Sequence, residues 1–128
     1  MSEAAASLLL VEDDESLRRV LVVQLRGRGY VVEEADSMEA AAALLGAGLR
    51  PWLVLLDLNL PGGTGWDLLR GPLLEAAGSP PVVITSAVTV NPRRLTEHGV
   101  AGYLPKPFAV ETLLATVERL GHLGAPDA

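Results

Sequence analysis

The sequence predicts an α/β fold in which a five-stranded parallel sheet lies between two layers of helices. Three observations carry this reading. Apolar runs of strand length recur along the chain, and two of them, residues 8–11 and 53–56, are apolar on both faces. Such strands belong in a sheet covered on both sides. Between the runs lie stretches with apolar residues spaced by three and four, the period of a helix with one buried face. The alternation of strand and helix repeats five times, with no internal repeat and no long linker, which is the pattern of a parallel sheet built through crossover helices.

The elements follow in order. Leu8 to Val11 reads LLLV and forms the first strand. Asp14 caps a helix whose buried face is Leu17, Val20, Leu21 and Leu25, and Gly27 and Gly29 end it. Tyr30 to Ala35 is a second, more polar strand; Ser37 caps an Ala-rich helix that runs to about Ala47. Leu53 to Leu56 is the third strand. A loop with Pro61, Gly62, Gly63 and Gly65 leads into a helix carrying Trp66, Leu68 and Leu69, which Gly71-Pro72 kinks or interrupts. Val82 to Thr85 is the fourth strand, and Asn91 to His98 holds at most a short fourth helix. Gly102 to Leu104 is the fifth strand. Val110, Leu113, Leu114, Val117 and Leu120 form the face of a final helix, after which residues 121–128 have no periodicity and fray.

The chain has 128 residues, 49% of them hydrophobic, which suits a single domain, 1–128, with a core over about 7–120. No apolar run approaches the length of a bilayer span. The N-terminal MSEAAAS has no basic residue and does not read as a secretion signal, so the expected location is the cytoplasm, without membrane association. Cysteine is absent, which excludes disulfides and thiolate metal sites. The net charge of −6, with no basic cluster, argues against direct nucleic-acid binding. The basic residues are nine Arg and one Lys, Lys106. Arg dominance beside abundant Ala and Gly points to a bacterial source, and the lone Lys raises the question of what Arg could not do there.

In open parallel sheets the site lies beyond the carboxyl ends of the strands. Glu12 and Asp13 follow the first strand, Asp57 the third, Ser86 the fourth and Lys106 the fifth. Three carboxylates therefore converge with a hydroxyl and an ammonium. Two carboxylates at about 4 Å and an effective dielectric near 20 repel by roughly 4 kcal/mol, so a cation or protons must relieve them. Mg²⁺ fits: it is a hard ion held by one or two carboxylates, waters and a phosphate oxygen. Lys106 offers a compact charge to a phosphoryl group, Ser86 a hydroxyl donor, and the remaining carboxylate a nucleophile.

The segments LLLVEDDE, LVLLDLNLPGGTGWDLL, PVVITSA and GYLPKPF, each at a strand end and in this order over about residues 7–120, resemble the response-regulator receiver domain of bacterial two-component signalling. The resemblance implies a flavodoxin-like, doubly wound sheet of strand order 2-1-3-4-5. It also implies roles. Asp57 accepts a phosphoryl group from a phosphohistidine. Asp13 ligates Mg²⁺ with Asp57, Glu12 acts directly or through water, and Asn59 gives its backbone carbonyl. Lys106 pairs with Asp57 and then with the phosphoryl group. Ser86 bonds a phosphoryl oxygen, and small Ala87 leaves the group room to enter. Tyr103 is the aromatic switch, and Lys106-Pro107 is a cis peptide. The implied partners are a histidine kinase or histidine phosphotransfer protein, and downstream either another protein, a missing effector domain, or a second copy in a phosphorylation-dependent homodimer. Such a chain is not an enzyme toward other substrates; it catalyses only its own phosphoryl transfer and dephosphorylation.

Outside this set the plainer readings hold. Asp14 and Glu15 serve the helix start, His98 and His122 are surface residues, and Trp52 and Trp66 pack. The interval of 20 positions from Ser86 to Lys106 is shorter than the resemblance implies. The shortening falls near Val88 to Val100 and alters the surface of the fourth helix. Asn59 and Val88, each two residues beyond a site residue, bear on phosphoryl lifetime; an apolar Val88 positions no water, which predicts a long-lived group. A haloacid-dehalogenase-like phosphatase needs an acid at position 59, where Asn stands. A flavin binder needs a phosphate-cradling loop after the first strand, where acids stand. A phosphorylation-independent interaction module and a phosphorelay intermediate are the remaining alternatives.

Overall fold

The computed structural model describes residues 6–60 and 63–124. In chain order its elements are β1 (Ser7–Val11), α1 (Glu15–Gly27), β2 (Val31–Ala35), α2 (Met38–Gly46), β3 (Leu53–Asp57), β4 (Asn59–Leu60), β5 (Gly63–Thr64), α3 (Gly65–Arg70), α4 (Pro72–Ala76), β6 (Val82–Ser86), α5 (Pro92–Glu97), β7 (Gly102–Pro105) and α6 (Val110–Gly124). The main sheet has the order β2-β1-β3-β6-β7, every neighbour parallel. Counting its five strands alone, this is the 2-1-3-4-5 order of a doubly wound sheet.

Alternation along the strands divides the core. Leu8, Leu10, Leu53, Leu55 and Val83 meet Leu21, Val22 and Leu25 of α1 and Leu113, Leu114 and Val117 of α6. Leu9, Val11, Leu56 and Ile84 point the other way, onto Ala41 and Leu45 of α2 and onto Trp66, Leu68 and Leu74. Each fully buried Leu contributes about 1.5–3 kcal/mol, so these two layers supply most of the driving force.

The helix starts rest on side-chain caps. Asp14 Oδ1 accepts from the Leu17 N–H at 3.1 Å, and Ser37 Oγ from the Ala40 N–H at 3.1 Å. We expect Ser37→Ala to lose about 1 kcal/mol of stability in urea unfolding; an unchanged midpoint would show that the cap makes no net contribution. Asn91 caps α5 through the Arg93 N–H at 2.9 Å, with Pro92 at its first position.

Three details differ from the sequence reading. Val20 is 47% exposed, and Val22, at 5%, takes its place in the core. At about 100° per residue, the stripe Leu17-Leu21-Leu25 leaves positions 20 and 22 equally far to either side, and packing chooses 22. The glycine loop after β3 contains an antiparallel β4–β5 hairpin pairing Asn59 with Thr64 and Leu60 with Gly63; Pro61 and Gly62 lie outside the described residues. Helix α6 continues to Gly124 rather than fraying from 121, and residues 125–128 lie outside the described residues. The predicted interruption at Gly71-Pro72 ends α3 and starts α4, with Gly71 extended at φ −80°, ψ 173°. Among the described residues no helix is long and apolar enough to cross a membrane.

Candidate functional site at the carboxyl edge of the sheet

Parallel pairing brings the strand ends to one edge. Asp57 is the last residue of β3 and Ser86 the last of β6; Glu12 and Lys106 each stand one residue past their strands. The backbone holds them there. The Glu12 N–H donates to the Ala35 carbonyl at 3.0 Å, the Leu58 N–H to Thr85 at 3.0 Å, and the Lys106 N–H to Ser86 at 2.8 Å.

Lys106 Nζ lies 2.9 and 3.1 Å from the two carboxylate oxygens of Glu12 and 3.0 Å from Asp57 Oδ2. Both carboxylates are only 2% exposed. An uncompensated charge at such depth is expensive, so the ammonium between them is the local counter-ion. Burial is the main reason the Glu12 carboxyl titrates above its ordinary range, against the lowering effect of its bonds to Lys106 and Asp14. For Lys106, burial pulls the pKa down, but hydrogen bonds and charge from Glu12 and Asp57 outweigh it and leave it raised. Lys106 is therefore held as the cation. A compact ammonium with three donors suits this three-way contact better than a planar guanidinium, which answers why Lys stands where Arg is otherwise the rule.

Asp13 is exposed, yet oxygens of Glu12, Asp13 and Asp57 come within 4.8 Å of one another. Hard carboxylate oxygens at that spacing, partly open to solvent, form a donor set for a divalent cation. The second Asp57 oxygen, Oδ1, accepts from the Asn59 N–H at 3.0 Å.

Ser86 is 1% exposed. Its Oγ donates to the Val88 carbonyl at 3.0 Å and accepts from the Val88 N–H at 3.1 Å and from Asn59 Nδ2 at 3.3 Å. The hydroxyl thus sits beside the carboxylates but is engaged with the following loop. Tyr103 is half-buried, and its hydroxyl donates to the same Val88 carbonyl at 3.4 Å. Ala87 is exposed and the Lys106-Pro107 peptide is cis.

Of the predicted site residues, Glu12, Asp13, Asp57 and Lys106 form one contact group, with Asn59 and Ser86 joined to it and Tyr103 reaching it through Val88. His98 is not a free surface residue: its ring centroid lies 4.8 Å from that of Trp66, and Arg94 stacks on the indole at 4.1 Å. Trp66 lies in α3, Arg94 in α5 and His98 just past the end of α5, so only the fold brings them together. Trp52 packs against Tyr30 at 5.9 Å. The side chain of His122 lies outside the described residues.

A family model described as the response regulator receiver domain matches residues 8–118. The DNA-binding response regulator MtrA of Mycobacterium tuberculosis is 40% identical over 113 residues, covering 86% of this chain and 48% of that protein. The chain spans about half the length of the curated relatives it matches. The non-phosphorylated HemR receiver domain from Leptospira biflexa superposes with a TM-score of 0.83 at 34% identity, over 96% of this chain and 99% of that one. A response regulator protein from Burkholderia pseudomallei, solved with a phosphorylated aspartic acid, a calcium ion and citrate, gives 0.76 at 25% identity, over 92% and 70% of the two chains.

Proposed function

The chain belongs to the response regulator receiver family, phosphorylation-activated switches of two-component signalling, and we propose that Asp57 is its phosphoacceptor. The single observation that carries this is the Lys106 ammonium bridging two buried carboxylates, Glu12 and Asp57.

In the proposed reaction an Asp57 carboxylate oxygen attacks the phosphorus of a phosphohistidine on a histidine kinase or phosphotransfer protein. The P–N bond breaks, the imidazole leaves with its electron pair, and an acyl phosphate remains on Asp57. Asp13, Asp57, the Asn59 carbonyl and Glu12, directly or through water, would hold Mg²⁺, which would neutralise charge on the phosphoryl oxygens. Lys106 releases its bond to Asp57 Oδ2 and follows the charge to a phosphoryl oxygen, a charge-assisted hydrogen bond. Ser86 gives up the Val88 carbonyl to donate to another such oxygen. That carbonyl then keeps only its Tyr103 partner, and Tyr103 turns inward with the loop. Phosphorylation favours the second arrangement only by these differential contacts. The chain acts on no substrate but its own phosphoryl group, and its output passes to a downstream protein or an attached effector domain.

Intact-mass spectrometry after incubation with acetyl phosphate and Mg²⁺ tests the proposal. We expect the gain of one phosphoryl group, absent in Asp57→Asn and absent when EDTA removes the metal. A folded wild-type protein that gains no mass overturns the switch and leaves a receiver-shaped interaction module.

A further inference from the structure

We propose that Arg18 is a positioning residue for the acidic edge: it fixes the Glu12 main chain and so sets the affinity of the Glu12–Asp13–Asp57 group for a divalent cation. The inference rests on the functional reading above and goes beyond it to a residue on the far side of the β1–α1 turn.

Glu12 stands past the end of β1, where the ladder that holds the strand has run out. Its N–H is taken by Ala35 of β2 at 3.0 Å. Its carbonyl belongs to a residue only 2% exposed and needs a donor. Arg18, one turn into α1, supplies it: Nη1 donates to the Glu12 carbonyl at 2.9 Å. The same guanidinium uses Nε to hold Glu34 Oε1 of β2 at 3.3 Å, and its side chain is only 17% exposed. One rigid fork therefore ties α1, the turn after β1 and strand β2 together, a task that suits a planar guanidinium.

The side chain that matters hangs from this clamped backbone. Glu12 Oε2 accepts from the Asp14 N–H at 3.1 Å, and the same carboxylate meets Lys106. If the Glu12 main chain rotates, its carboxylate and the neighbouring Asp13 both leave their places. Groups that orient ligands without touching the ion commonly govern affinity in this way.

Charge and position predict opposite signs. Arg18 is a cation near a cation site, so removing it should tighten metal binding if charge alone matters. If Arg18 positions the carboxylates, removing it should weaken binding. Arg19 is the matched control: it is the next residue on the same helix, bears the same charge, and among the described residues is paired only with Glu15, with side chains 74% and 73% exposed.

The experiment titrates Mg²⁺ into the unphosphorylated chain by calorimetry for wild type, Arg18→Met, Arg18→Lys and Arg19→Met, and reads amide exchange at Glu12 and Asp14 in metal-free samples. We expect Arg18→Met to bind about ten-fold more weakly, Arg18→Lys to recover part of the loss, and Arg19→Met to bind at least as tightly as wild type. Exchange at Glu12 and Asp14 should quicken in Arg18→Met alone. Equal or tighter binding by folded Arg18→Met, or unchanged exchange at both amides, overturns the positioning role. A wild type that binds no Mg²⁺ sinks the metal-dependent reading separately, and the proposed effect on affinity with it.

Discussion

Lys106→Met should destabilise the protein by about 3–5 kcal/mol in chelator, the cost of leaving buried charge without its partner. The ammonium lies within 3.0 Å of both Glu12 and Asp57, and each of those residues is 2% exposed. Methionine restores the stem volume but not the charge, so two carboxylates face each other across an apolar thioether. One response is for Glu12, whose carboxyl burial already pushes upward, to take up a proton. The other is for a cation to enter. We therefore expect Mg²⁺ to recover much of the loss in urea unfolding, and the metal-dependent gain in the variant to exceed that of wild type, where Lys106 competes for the same oxygens. An unfolding midpoint unchanged in chelator would show that solvent already screens the pair. A loss that Mg²⁺ does not touch would show that the three acids cannot share a cation.

The strands were legible because a run that is apolar on both faces has to be covered on both. Leu8–Val11 and Leu53–Leu56 could satisfy water on neither side, and both lie wholly in the core. The acidic edge was legible for the complementary reason. A run of buried leucines that stops on Glu12 and Asp13, or on Asp57, marks where the sheet meets solvent, and parallel strands put all such stops at one edge. The lone lysine of an arginine-rich chain was a further signal, and its three-way contact shows why.

What stayed hidden depends on packing between elements. The helical period of α1 allows either Val20 or Val22 to join the core, and only the neighbouring layers decide between them. The β4–β5 hairpin has two residues in each strand, too few for any alternation to show. In the sequence Arg18 is simply adjacent to Arg19, and nothing local reveals that its fork reaches back to the Glu12 carbonyl. His98 reads as exposed because its partner Trp66 is 32 positions away and belongs to another helix.

Gly65 joins these two kinds of information, since it is a loop glycine by sequence and a contact point of the site by fold. Its N–H donates to the Leu58 carbonyl at 3.0 Å, closing the hairpin that follows Asp57. A Cβ built there would lie 3.0 Å from Leu58 Cδ2, 3.1 Å from Leu56 Cγ and 3.1 Å from the Asp57 carbonyl oxygen. The leucines can yield a little, but the third neighbour is main chain, and moving it moves the acceptor. Gly65→Ala should cost about 1–3 kcal/mol by overpacking, and Gly65→Val more. Both should also slow phosphoryl uptake from acetyl phosphate at temperatures where they remain folded, because Asp57 is displaced relative to Lys106. Gly46 supplies the contrast: it ends α2 with nothing within 4 Å of its Cβ position, so Gly46→Ala should be neutral or slightly stabilising and leave uptake unchanged. If Gly65→Ala unfolds at the wild-type midpoint and is phosphorylated at the wild-type rate, the tight approach is relieved by side chains alone, and the position of Asp57 does not depend on this glycine.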